Sequence, residues 1–368
     1  MSPITIVMLG FSMLGAFDLI IGNKFGLGKQ FECGIMLLGT MAMSMIGMIV
    51  LAPLIAHLLG PAVQWLASII PFEPSVVPGM LLANDMGGAP LAMEFATNEQ
   101  VGYFNGLIIA SMMGATISYT LPFSMGVVNK DKHDSLMLGL LCGIITVPVG
   151  CLIAGIIVEL PLQDLLASLI PLFLFSIVLA IGLFLAPDAC LKGFKVFGVI
   201  VKGMILIGLA IGIFEALTGL DIVPYTAPIE DGVEICVYGA MVLSGAFPLM
   251  YVLSKLLDKP MKHFGQLMGM NGKSALGLLT MLVSCTPVFG NMEGMDDKGI
   301  VLNSAFAVSA AFVFGGHLAF TMSVQADFVV GMVVGKLLSG IAAIIVAMVL
   351  YKIINQKKAV SLIIYKEK

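Results

Sequence analysis

Residues 80–94, MLLANDMGGAPLAME, concentrate chemistry in an otherwise apolar stretch. Asn84, Asp85, the Gly87-Gly88 pair and Pro90 fall within seven residues of one another. Gly-Gly and Pro disfavour a continuous helix, which frees backbone carbonyls and amides beside a carboxylate. That set suits a small cation: Asp85 supplies charge, while Asn84 and the free carbonyls supply hydrogen-bond partners. A charge at membrane depth costs about 3 kcal/mol even on the lower scales, so Asp85 is tolerable only where water, a cation or a partner reaches it. The plainer reading is an interfacial loop in which Asp85 caps a short helix.

A second stretch, 281–293 (MLVSCTPVFGNME), repeats the broken, polar character through Ser284, Thr286, Pro287, Gly290 and Asn291. It carries no acid at the place of Asp85. A site built from both stretches would therefore hold one cation rather than two. The candidate substrate contacts are Asp85, Asn84, Gly87, Gly88, Thr286 and Asn291, joined by Asn105 and Asn303 on the helices that follow. Asn105 and Ser111, like Asn303 and Ser309, either glue helices together by hydrogen bonding or line the path. The asparagines, nearer the broken stretches, suit the path better.

Five further ionisable residues could gate the path or form ion pairs: Asp18, Glu215, Glu94, Glu293 and Lys336. Asp18 and Glu215 also read as solvated helix ends, and Glu94 and Glu293 as solvated ends of the broken segments. Lys336 lies about seven residues into the last apolar run, where it either snorkels outward or pairs with a buried carboxylate. His317 stands where the first half has Tyr119 and reads as a packing histidine rather than a proton relay. The six cysteines (33, 142, 151, 190, 236, 285) form no CxxC pair, and the pattern calls for neither metal nor cofactor.

The elements that must position these residues are membrane helices. Of 368 residues, 59% are hydrophobic and only 11% charged, against about a quarter charged in soluble domains. Apolar runs such as 34–56, 136–158, 165–186, 234–254 and 337–351 match the roughly 20 residues a spanning helix needs. An uncovered strand edge cannot survive in lipid, so the spans are helical. Every basic residue is Lys and the net charge is −4. No basic stripe points to nucleic acid, and no phosphate-cradling loop points to an ATP-driven pump. The run 4–22 lacks a basic flank and a clear cleavage site, and reads as a retained helix.

The chain also repeats itself. GAFDLIIG (15–22) matches GIFEALTG (212–219), GTMAMS (39–44) matches GAMVLS (239–244), and Met93-Glu94 returns as Met292-Glu293. Asn105/Ser111 returns as Asn303/Ser309, and LLCGI (140–144) as LLSGI (337–341), every shift lying between 197 and 200. The predicted division is repeat 1 over 1–160, a linking helix in 161–190, repeat 2 over 191–352 and a cytoplasmic tail over 353–368. Lysines mark the connections 23–31, 129–134, 187–202 and 255–273. All four face the cytoplasm if 75–95 and 272–292 re-enter on the side they left. The result has nine crossings, including a continuous one at 299–324, with the N-terminus outside and the C-terminus inside. The expected fold is thus an all-α polytopic membrane protein. It has two inverted repeats of five segments joined by one linking helix, with a broken or re-entrant helix in each half. Eleven full spans in parallel halves is the competing topology.

Matched broken segments argue for transport over a purely structural subunit. An intramembrane enzyme is the rival class, but neither HExxH nor GxSxG occurs.

The stretch 83–95, ANDMGGAPLAMEF, supported by GAFDLIIGNKFGLGKQFE at 15–32, resembles the ethanolamine-utilisation permease family, EutH. The resemblance covers essentially all of the apolar chain. It implies a bacterial inner-membrane protein that brings ethanolamine to cytoplasmic catabolism. Ethanolamine is a small ammonium at neutral pH, since alkyl amines titrate near about 10. Asp85 and Asn84 suit its charge and hydroxyl, and Phe95, Tyr103 or Phe104 could add cation–π contact. Facilitated diffusion is the expected mode, with an ion-coupled carrier of another small amine or polar metabolite as the alternative. Proton antiport, sodium symport and uncoupled passage fit the same residues, and oligomeric state has no sequence signature here.

Overall fold

A computed structural model describes residues 3–69 and 72–366. The described residues are almost entirely helical and contain no strand. Among the described residues, eight helical stretches are long and apolar enough to cross a membrane. The first two are α1 (Pro3–Ile20) and α2 (Leu27–Ile69), joined by a short turn. A broken segment, the first hairpin, follows: α3 (Val76–Leu81), a single 3-10 turn over Asn84–Met86, and α4 (Gly88–Phe95). The next span starts as α5 (Glu99–Tyr103), winds as π-helix through Phe104–Gly114 and Thr116–Thr120, and ends as α6 (Leu121–Val127). Three further helices are α7 (His133–Ile157), α8 (Leu162–Leu185) and α9 (Pro187–Thr218).

The second half continues with α10 (Ile229–Met268) and its own broken segment, α11 (Gly272–Met281) and α12 (Thr286–Gly290). It closes with α13 (Asp297–Ala310), α14 (Gly316–Val324) and α15 (Val329–Lys366). The apolar outer faces of α8 and α9 leave Phe173, Val178, Phe184 and Val199 exposed, as lipid-facing helices require.

Three expectations change. The continuous crossing at 299–324 is two helices, α13 and α14, separated at Ala311–Gly315. There Phe312 takes φ 61°, and Gly315-Gly316 accommodates the change of direction. The lysine-bearing stretches 187–202 and 255–273 are mostly helix, not loop: α9 begins at Pro187 and α10 runs to Met268. Lysine is a good helix former, so these helices simply continue past their apolar spans. The first part of the predicted tail is likewise helical, since α15 extends to Lys366.

Each broken segment is tied at its base. In the first, Glu73 accepts from Thr97 Oγ1 (2.6 Å), the Thr97 amide (3.1 Å) and Ser75 Oγ (2.9 Å), so the chain leaves and returns at one place. In the second, Asp296 accepts from the Asn271 amide (2.9 Å) and Ser274 Oγ (2.7 Å). The first base sits where Asn98 meets Asp164 and Gln100 meets Val158. The second sits where Lys132 pairs with Asp297 (2.9 Å). Burial of Asp296 opposes its ionisation, but the amides of Asn271 and Gly299 and the Ser274 hydroxyl outweigh it and hold the carboxyl below its usual range.

Candidate functional site

The two hairpins bring their breaks together around Asp85. Unwinding at Leu82–Ala83 frees the Ala83 amide, which donates to Ser118 Oγ (3.0 Å) on the π-helical span. Gly87 follows at φ 107°, a left-handed conformation that glycine adopts without strain. A Cβ there would also strike the Met48 side chain. Gly88 packs against the carbonyls of Leu82 and Ala83, so the pair sets the turn that presents Asp85. Across from it, the α13–α14 break docks onto the second hairpin: Phe312 and Phe314 amides donate to Met281 O (3.2 Å) and Leu282 O (2.8 Å). Freed backbone groups of one break are thus satisfied by the other.

Asp85 is half-buried and, among the described residues, makes no ion pair within bonding distance. Its Oδ2 faces Gly316, where even an added Cβ would lie 3.5 Å away. Beside it, the Asn84 side chain is fully buried, and neither its amide nitrogen nor its oxygen has a partner. An unpartnered buried amide costs about 1–3 kcal/mol, which a ligand bonding to it would recover.

Lys336 is fully enclosed on α15 and does not snorkel. Its Nζ donates to Ser111 O and lies 3.1 Å from His317 Nδ1. Thr286 opens the second hairpin's helix and shares a 2.9 Å hydrogen bond with Tyr119 OH, which joins the two halves. Tyr119 stacks on Phe123 (5.3 Å between centroids) and meets Phe312 edge-on (5.8 Å). Phe123 reaches Phe289 (6.4 Å), and Phe312 reaches His317 (5.2 Å). A carboxylate, an unpaired amide, hydroxyls and ring faces therefore converge. Such a set can hold a small ammonium through charge and cation–π attraction.

The remaining sequence candidates lie elsewhere. Asn105 and Asn303 are buried and grip the hairpin bases. Asn105 Nδ2 donates to Ser75 Oγ (2.7 Å), and Asn303 Nδ2 donates to Ser274 O (2.8 Å). Asp18, only 1% exposed, is no solvated end: it accepts the amides of Phe25, Leu27 and Gly28 and folds the α1–α2 turn. Glu215 does the same for the loop after α9, accepting from Val223 N and Thr226 Oγ1. Glu94 is exposed. Asn291 and Glu293 line a cleft of about 600 Å³ with Lys273 and Thr280, and Asn291 donates to Pro287 O. Phe104 is buried away from solvent, and Tyr103 packs on Phe328 and bonds Glu99. Sequence reasoning missed the aromatic cluster and Glu73. The pairing of Tyr119 with His317 at one repeat shift was its only visible signal.

Long apolar helices, two base-clasped hairpins and a polar centre where their breaks meet define a polytopic membrane protein of the carrier type. The family model described as "Ethanolamine utilisation protein, EutH" matches residues 2–350, and the chain belongs to that family. It is 44% identical over 329 residues to "Probable ethanolamine permease EutH" of Listeria monocytogenes, covering 89% of this chain and 87% of that one. It is 35% identical over 352 residues to the protein of the same name from Salmonella typhimurium, covering 85% and 86%. It is also 35% identical over 329 residues to "Uncharacterized protein YxeR" of Bacillus subtilis, covering 89% of each. No solved structure matches the chain.

Proposed function

We propose that this chain carries ethanolamine, as its ammonium form, across the bacterial cytoplasmic membrane by facilitated diffusion. The observation that carries the reading is the half-buried Asp85 beside an unpartnered buried Asn84, its Oδ2 against Gly316 at the start of α14, where the next residue, His317, meets Phe312. The relatives named ethanolamine permeases point to the same substrate. Asp85 holds the ammonium, ring faces complete its shell, and Asn84, Tyr119 or Thr286 takes the hydroxyl. Asn105 and Asn303 hold the hairpins in register, and Asn291 and Glu293 stand at the cleft on the second hairpin.

We read the two halves as inverted repeats, 1–160 and 191–352. Support comes from equivalent clasps at different ends of the α5–α6 span, one beside Asp164 and one beside Lys132. With lysines cytoplasmic, the N-terminus is outside and the C-terminus inside.

The test is uptake of labelled ethanolamine into vesicles bearing the chain at pH 6, where only about one molecule in 10⁴ is the permeant free base. Saturable uptake above protein-free vesicles is expected. Uptake no faster than in protein-free vesicles overturns the reading.

A further inference from the structure

Lys336 has no part in the reading above, yet it is the most completely buried charge in the site. It is 0% exposed, and its contacts are the neutral Ser111 carbonyl and His317 Nδ1. To accept from an ammonium, Nδ1 must carry no proton, so His317 sits there as a neutral ring. Asp85 Oδ2 lies against Gly316, the residue before the His317 whose Nδ1 meets Lys336 Nζ, so the start of α14 brings the carboxylate and the lysine to one place. The other titratable groups near Lys336 are Cys151 on α7 and Cys285 in the second break. Asp85 is the single carboxylate of the set. The repeat mate of Lys336 is Gly139, which packs directly on the α13 backbone at Val301 and Ala305. The lysine is therefore not a by-product of duplication. It was placed in one half only, as Asp85 was placed in the other.

We propose that Lys336 is the resident counter-charge of Asp85 and gives up its proton whenever a substrate ammonium enters, making transport a one-for-one, electroneutral exchange of ammonium for proton. The proposal rests on Asp85 as the ammonium site. With Asp85 negative and Lys336 positive, the empty site is neutral. A substrate cation added to it would leave an unbalanced positive charge beside the fully buried Lys336, which is disfavoured. Lysine is the basic side chain that can discharge when buried, whereas arginine cannot.

The balance is simple. On the outer side, bound Lys336 ammonium releases a proton to water as the substrate ammonium takes its place beside Asp85. On the inner side, the amine leaves and the free Lys336 amine takes a proton from the cytoplasm. One ammonium moves in, one proton moves out, and no net charge crosses. The end point equals that of equilibrating the free base, so the exchange replaces the uncoupled passage of the ammonium read above with a proton-coupled one that keeps the same substrate and the same site.

The experiment uses the full chain in proteoliposomes at pH 6, with labelled ethanolamine, a pH dye inside and an imposed potassium diffusion potential. Wild-type accumulation should ignore an inside-negative potential, and the lumen should turn alkaline in step with uptake. A lumen one pH unit more acid should concentrate the amine about tenfold. Uniport of the cation would instead concentrate it roughly 50-fold at about 100 mV, and that result overturns the proposal. Lys336→Gln should make uptake respond to the potential; a Gln variant that still exchanges protons overturns it. Lys336→Arg should fold but not transport, and wild-type rates in that variant also overturn it. The wild-type potential arm decides the matter even if a variant fails to fold. Label uptake no greater than in protein-free vesicles would sink the substrate reading, and the exchange with it.

Discussion

Asp85→Asn is the sharpest perturbation of the site. Asparagine keeps the shape of the side chain and removes only its charge. Asp85 makes no hydrogen bond to another side chain and lies at a turn already fixed by Gly87 and Gly88. The substitution should therefore leave the fold alone, with Lys336 discharging rather than standing without its counter-charge and the apparent Tm changing little. Substrate affinity is another matter. A hydrogen bond to a charged partner is worth about 1.5–3 kcal/mol, and the partly exposed setting of Asp85 argues against anything larger. At about 1.4 kcal/mol per decade, the half-saturation concentration should rise about 10- to 150-fold. Labelled uptake at pH 6 over a wide ethanolamine range measures it, with exposed Glu94→Gln as the neutral control. If Asp85→Asn matches wild type within about twofold in both KM and maximal rate, Asp85 does not hold the ammonium and the site is wrongly placed.

Glu73→Gln should loosen the base of the first hairpin, because Glu73 accepts four hydrogen bonds from Ser75 and Thr97. Losing the charge-assisted component should cost about 1–3 kcal/mol, read as a lower Tm and faster amide exchange around 74–97. Gly87→Ala should cost about 1–3 kcal/mol from the positive φ alone, with the Met48 contact adding to it; thermal unfolding in detergent checks both. Asp296 has a carboxyl held below its ordinary 3.8. Its contribution to stability is therefore complete above that pH and is lost as pH falls through the lower folded value. Wild type should lose stability below about pH 4 more steeply than Asp296→Asn, as thermal scans across pH 2–6 would show.

Composition and periodicity determined much of this protein. Apolar runs of bilayer length leave helices as the only answer, because lipid offers nothing to an unpaired backbone group. The breaks were legible as well, since Gly87-Gly88, Pro90 and Pro287 are residues with a known backbone consequence. A lone carboxylate in such a break marked Asp85, and the repeat shift paired Asn105 with Asn303 and Tyr119 with His317.

Roles that depend on partners far away in the chain were not legible. Asn105 and Asn303 looked like path residues, yet they close hairpins by reaching 30 and 29 residues back. Asp18 looked solvated because nothing in its neighbourhood announces that three amides will converge on it. The gap between α13 and α14 was missed because it is stabilised by carbonyls of Met281 and Leu282, on a different segment. Local sequence thus determined where the helices lie and where they break. Only the tertiary structure decided what fills each break, because a freed polar group is satisfied by whatever the fold brings within hydrogen-bonding distance. At Asp85 the fold brings Tyr119, Gly316 and a buried lysine from 251 residues further along the chain.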